Sequence, residues 1–208
     1  MTEKDMFYEI HVTVKCPRYE IPRFEKICKI LNVKPIVIVL EKGSEEVMQD
    51  VMTSSKVDVA SVAEAVKMSM DIENKLKYHR FRVVRRKVET MPIHPLAPQF
   101  EGDPMPVNCY FESHIQVVVE RDGQKNLLDH IAKESKAHKS RNAFKKMLDG
   151  SYIQMLTLRD HNTNKTSFSE AVASLRGSLE FAGFTLGKME VEFAIFDTNV
   201  HHDKVWTG

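Results

Sequence analysis

The sequence predicts an α+β fold made of two copies of one β-α-β-β-α-β unit, and three observations predict it. The first is internal repetition, which precedes any other reading because a missed repeat miscasts the whole fold. Phe7-Tyr-Glu-Ile-His-Val-Thr-Val14 recurs as Tyr110-Phe-Glu-Ser-His-Ile-Gln-Val117, aligning Glu9 with Glu112 and His11 with His114. Leu76 and Leu179, Phe81 and Phe184, and Val88-Glu89 and Val191-Glu192 fall at that same offset far downstream. Met52-Thr53 against Leu156-Thr157, and Glu64-Ala-Val66 against Glu170-Ala-Val172, follow after short slips. The second observation is the stretch 91–106, which holds five of the eight prolines. Proline lacks the backbone donor that a helix or sheet interior needs, so a stiff linker is expected there, between a first repeat at 1–90 and a second at 107–208. The third is the alternation, within each half, of two-residue and helical periods.

In the first half, Tyr8, Ile10, Val12 and Val14 alternate with Glu9, His11, Thr13 and Lys15, the pattern of a half-buried strand. Phe24, Ile27, Cys28 and Leu31 then form an amphipathic helical stripe, with Pro22 suited to its opening turn. Pro35 to Leu40 and Glu46 to Ser54 predict two strands around the Gly43-Ser44 turn. Val62, Ala65, Val66, Ser69, Ile72 and Leu76 make a second helical stripe, and Phe81 to Thr90 closes the unit as a strand. In the second half, Phe168, Ala171, Val172, Leu175 and Leu179 line a helix that Gly183 ends, and Thr185 to Phe196 is a strand. The second strand of this half should fall within Ala137 to Gly150, where Lys139-Ser-Arg-Asn-Ala-Phe-Lys-Lys146 is poor in strand formers.

This element order with one-sided strands is that of the ferredoxin-like plait, in which helices cover one face of an antiparallel sheet. Two such units hide their open faces against each other, so the expectation is two antiparallel sheets with a cleft or barrel between the lobes. The composition fits a globular protein, with 42% hydrophobic and 28% charged residues. Charge is balanced, 30 Lys and Arg against 29 Asp and Glu, so no global field points to nucleic acid or membrane. The polar start and the lack of a long apolar run predict a cytoplasmic protein. Cys16, Cys28 and Cys109 form no C-x-x-C and read as buried thiols.

Strand parity places Glu9, His11 and Thr13, with Glu112, His114 and Gln116 in the repeat, on the face opposite the helices. Glu89 and Glu192 on the closing strands share that face, and in this plait the first and last strands are neighbours. Each lobe therefore gathers one histidine and two carboxylates. Three uses fit that gathering. Glu9, His11, Glu89, Glu112, His114 and Glu192 could ligate a divalent metal. His11 and His114 could serve as catalytic acid and base in phosphoester or related hydrolysis. The third use is a hydrogen-bonded polar layer with no chemistry, which would make the chain a noncatalytic protein-interaction module.

Three short likenesses touch these residues. His11-Val-Thr13 resembles the H-x-T element of two-histidine phosphoesterases, although the repeat reads His114-Ile-Gln116. Glu9-x-His11-x-Thr13-x-Lys15 is similar in rhythm to the E-x-E-x-K strand of triphosphate-tunnel enzymes, with His in place of the second Glu. The two-lobed plan with histidine on a strand resembles vicinal-oxygen-chelate proteins, whose unit is β-α-β-β-β. None extends beyond these few positions.

The basic stretch 133–146 contains Lys133, Lys136, Lys139, Arg141, Lys145 and Lys146, and Arg159 adds a further guanidinium in this half. The stretch reads either as a solvated helix-loop face or as a grip on phosphate; in the second use Arg141 and Arg159 are the foremost, and Thr13 and Gln116 would add neutral contacts inside the cleft. Phe144 is the only interleaved aromatic residue, which argues against sustained nucleic-acid binding. Trp206 should pin the tail to a lobe. The function expected is binding of a small anionic ligand, phosphate- or carboxylate-bearing, where the lobes meet.

Overall fold

The computed structural model describes residues 6–42, 46–120, 122–142 and 151–202. The first half runs β1 (Tyr8–Lys15), α1 (Ile21–Leu31), β2 (Lys34–Lys42), β3 (Glu46–Val57), α2 (Val62–Tyr78) and β4 (Arg82–Thr90). The second runs β5 (Tyr110–Val119), α3 (Asp122–Glu134), β6 (His138–Asn142), β7 (Tyr152–Asp160), α4 (Lys165–Phe181) and β8 (Thr185–Asp197). The fold is therefore α+β, with four α-helices and an antiparallel barrel of eight strands in the closed order β1-β3-β2-β6-β7-β5-β8-β4.

The halves do not stack face to face as two separate sheets. They join edge to edge, β2 pairing with β6 and β4 with β8, so that no sheet edge is left unpaired among the described residues. Each half contributes its strands in the same spatial order, β4-β1-β3-β2 and β8-β5-β7-β6. The segment poor in strand formers does pair, but β6 spans only five residues.

Local chemistry sets the ends of the helices. Ser61 caps α2 by accepting the Glu64 amide, and Asn164 caps α4 by accepting the Ser167 amide at 3.0 Å. Asn32 at φ 54° and Gly183 at φ 80° take the left-handed turns that follow α1 and α4. The apolar strand faces pack outward under these helices. Ile10, Val12, Phe24, Cys28 and Leu76 are buried in the first half, and in the second Phe111 packs between Phe168 and Phe193. With the outer faces supplying the core, the inner faces are free to carry polar groups.

The proline-rich stretch packs against both halves. His94 within it is fully buried, its ring against Tyr8, and Ala97 is buried beside it. The Pro98 carbonyl accepts the Lys165 amide at 2.8 Å and the Gln99 carbonyl accepts the Thr166 hydroxyl, which ties this stretch to the start of α4. Cys16, Cys28 and Cys109 are unpaired. No helix among the described residues is long and apolar enough to cross a membrane. The Gly43-Ser44 turn, Phe144, Lys145, Lys146 and Trp206 lie outside the described residues.

Candidate functional site

Alternation along β1 turns Glu9, His11 and Thr13 into the barrel, and antiparallel register sets Glu89, Lys87 and Arg85 of β4 directly beside them. On the other side of β1 stand Lys56 and Ser54 of β3. His11 Nε2 lies 2.8 Å from Glu89 and 3.7 Å from Glu9. The Ser54 hydroxyl donates to Glu9 at 2.6 Å, and Lys56 approaches the same carboxylate at 3.3 Å. His11 Nδ1 is buried with no hydrogen-bond partner among the described residues.

The second half repeats the arrangement with different side chains. Glu112 faces Glu192 and Arg159, and His114 faces Glu190 and Thr157. His114 Nδ1 is 2.9 Å from the Thr157 hydroxyl, and its Nε2 is 3.9 Å from both Glu112 and Glu192. Arg159 donates to Glu112 at 2.7 Å. Lys87 joins the halves, its ammonium 2.6 Å from Glu89 and 2.9 Å from Glu112. Deeper still, Arg85 bonds Asp197 and the Tyr110 hydroxyl, and Tyr110 donates to Asp197 at 2.9 Å.

Exposure falls steeply across this network. The Lys56 side chain is 55% exposed and that of His114 26%, whereas Glu89, Glu112 and Arg85 are at most 4% exposed. Lys56, Glu190 and His114 thus form the accessible rim of an otherwise buried interior.

Electrostatics separates the carboxylates. Burial pushes Glu89 upward, but Lys87 and His11 hold it down at about 2. Burial also opposes ionisation of Glu112, which Arg159, Lys87 and His114 nevertheless hold well below the usual range. Burial works against the Lys87 ammonium, and Glu112 and Glu89 keep it protonated well above the usual range. Glu192 goes the other way. Burial, with Glu89, Glu9 and Glu112 nearby, pushes it up to about 9, so it carries a proton at neutral pH.

The residues singled out in the sequence do not all meet. Glu89, Glu112 and His114 offer ligand atoms within 4.8 Å of one another, with Glu192 next to His114. Thr13 lies farther along β1, in register with Met52 and Arg85. Gln116 packs against Gly187, where any Cβ would stand 3.1 Å from it. Arg159 enters the barrel, but Arg141 is paired with Val39 and lies over the Tyr152 ring at 5.3 Å, so the two guanidinium groups are not brought together.

Lys87, Arg85, Lys56, Tyr110 and Asp197 join the network without standing out in the sequence pattern. The signal for two of them was present, because the parity that selects Glu89 selects Lys87 and Arg85 as well.

No protein-family profile matches the chain, and no curated protein sequence matches it. Solved structures that align with it over most of both chains include the small subunit of acetolactate synthase from Thermotoga maritima. That alignment has 12% identity, 92% of this chain, 96% of that one and a TM-score of 0.33. A protein from Galdieria sulphuraria aligns at 9% identity over 91% and 99%, TM-score 0.28. A heme-binding protein from Thermus thermophilus aligns at 8% over 97% and 95%, TM-score 0.30. Likenesses this weak carry no argument about activity.

Proposed function

We propose that the barrel interior binds a small phosphate- or carboxylate-bearing ligand together with a divalent cation, where two copies of one unit meet. The observation that carries this reading is the convergence of Glu89, Glu112 and His114 around the Lys87 ammonium. Two carboxylates and an imidazole suit a divalent ion such as Mn2+. Donor atoms about 2 Å from one ion are at most about 4 Å apart, so the group closes slightly on binding. The entering ion takes over the carboxylates that Lys87 now holds. The released ammonium, with Lys56 and Arg159, then faces the anion, so cation and anion favour each other's binding. Arg159 is the guanidinium assigned to the ligand, in preference to Arg141.

Hydrolysis is the alternative to ion binding at this histidine: with a phosphoester and no ion in that position, His114 could move a proton at Nε2, the nitrogen an ion would otherwise occupy, while Thr157 fixes its Nδ1. The hydrolytic reading rests on this residue, with His11 as its counterpart. The duplication reading, with copies at 1–90 and 107–208 joined by 91–106, draws support from the shared strand order. It draws further support from the equivalent register of Glu9 with Glu112, His11 with His114 and Glu89 with Glu192. A cytoplasmic setting goes with the unpaired cysteines.

Calorimetric titration with inorganic phosphate, with and without Mn2+, tests the reading. The expected result is phosphate binding that tightens at least tenfold with Mn2+. Phosphate affinity that is absent or indifferent to Mn2+ would overturn it. One observation favours a second reading, a noncatalytic interaction module: Arg85, Asp197 and Tyr110 already satisfy one another, as a polar core does. On that reading neither Mn2+ nor phosphate moves the melting temperature.

A further inference from the structure

A second concave site opens outside the barrel at its rim. A cavity of about 670 Å3 lies between the end of α1 and the adjoining ends of β2 and β3, and its wall includes Lys29, Asn32, Lys34, Ser54, Ser55 and Lys56. Lys29 and Lys34 are exposed, and neither has an ion-pair partner among the described residues. Glu25 is the acidic residue of the wall, set against Lys29 and Lys34, while the third lysine, Lys56, is already 3.3 Å from Glu9 and 3.8 Å from Glu190. The carbonyls that end α1 would oppose an anion, but Cys28 and Lys29 carbonyls are occupied by the Val33 and Asn32 amides. The Ser55 hydroxyl is buried in this wall without a hydrogen-bond partner among the described residues.

The cavity adjoins the interior at two residues. Ser54 and Lys56 line it, and the same two side chains hold Glu9 inside the barrel at 2.6 and 3.3 Å. A ligand seated among Lys56, Lys87 and Arg159 therefore has a cationic exit path over Lys56.

We infer that this rim cavity is a second anion subsite, taking the far anionic group of an extended ligand whose near group occupies the barrel. The inference rests on the barrel reading above and narrows it: the ligand carries at least two anionic groups, and Lys29 and Lys34 select for the second. Lys56 serves both ends, and Lys29 and Lys34 serve only the far one. Being exposed and on the rim, these two can be changed without opening the core.

The test is calorimetric titration of the full chain in Mn2+ with inorganic phosphate and with tripolyphosphate, in the wild type and in a Lys29→Ala, Lys34→Ala double variant. The wild type should bind tripolyphosphate at least tenfold more tightly than phosphate. The double variant should lose most of that advantage and keep its phosphate affinity. If phosphate binds but tripolyphosphate gains nothing, or the double variant leaves the advantage intact, the rim subsite is wrong and the barrel reading survives. If neither probe binds the wild type, both are overturned.

Discussion

The two halves of the barrel carry the same histidine and carboxylates in the same register, yet one half is locked and the other is loose. In the first, His11 is 2.8 Å from Glu89, and Glu89 is held at about 2. In the second, His114 stands 3.9 Å from Glu192, and Glu192 is pushed up to about 9. Burial beside Glu89, Glu9 and Glu112 raises Glu192, and one register position adds to the contrast. Opposite His11 stands Lys87, whose ammonium neutralises both Glu89 and Glu112; opposite His114 stands Glu190, which adds another carboxylate. Lys87 thus completes the ion-pair network around Glu89, whereas burial and neighbouring carboxylates leave Glu192 protonated near an accessible imidazole.

Removing the residue that creates the difference should have the largest effect. Lys87→Met leaves two carboxylates buried without their shared ammonium, and the loss of stability expected is about 3–5 kcal/mol, read by urea unfolding. Glu190→Gln, at the matching position on the rim, should change stability by no more than about 0.5 kcal/mol. Equal losses would remove the distinction between the halves.

The histidines should separate next. His11→Ala strips Glu89 of a close donor and should cost about 1–3 kcal/mol of stability. His114→Ala should cost less stability and instead weaken Mn2+ binding, by tenfold or more. If both substitutions reduce stability alike and leave Mn2+ binding untouched, the second half is no more open than the first.

Opposite pH dependences give a further contrast. Glu192 binds its proton more tightly folded than unfolded, so its contribution is complete below its ordinary value of 4.5 and is lost as pH rises toward about 9. Glu89 binds its proton less tightly when folded, so its contribution is complete above 4.5 and is lost as pH falls through about 2. Glu192→Gln should therefore flatten the decline in stability between about 4.5 and about 9. An unchanged profile in urea titrations across that window would mean that Glu192 ionises normally.

Much of this arrangement was legible in the sequence, and the illegible parts share a cause. The two-residue alternation of Tyr8 to Lys15 and of Tyr110 to Val117 places Glu9, His11, Glu112 and His114 on one face without any structural information. Edge-to-edge closure was not legible, because it depends on pairings such as Val39 with Arg141 and Lys87 with Asp197 between segments far apart in the chain. Strand β6, rich in charge and poor in β-branched residues, is held in the sheet by β2 and β7 on either side. Lys87 reads locally as a solvated lysine on a strand. Only a closed barrel buries it, and only the carboxylate from the other half gives it a second partner. The docking of His94 against Tyr8 is likewise a long-range contact within a stretch that local composition marks as a spacer.

A divalent ion should take over the carboxylates now held by Lys87. A Mn2+ titration of the wild type and Lys87→Met, followed by electron paramagnetic resonance, tests it most directly, because bound and free Mn2+ are counted separately. One Mn2+ should bind per chain in the wild type, and more tightly in Lys87→Met, where the competing ammonium is gone. If neither protein binds Mn2+, Glu89, Glu112 and His114 form an ion-pair network only and hold no metal.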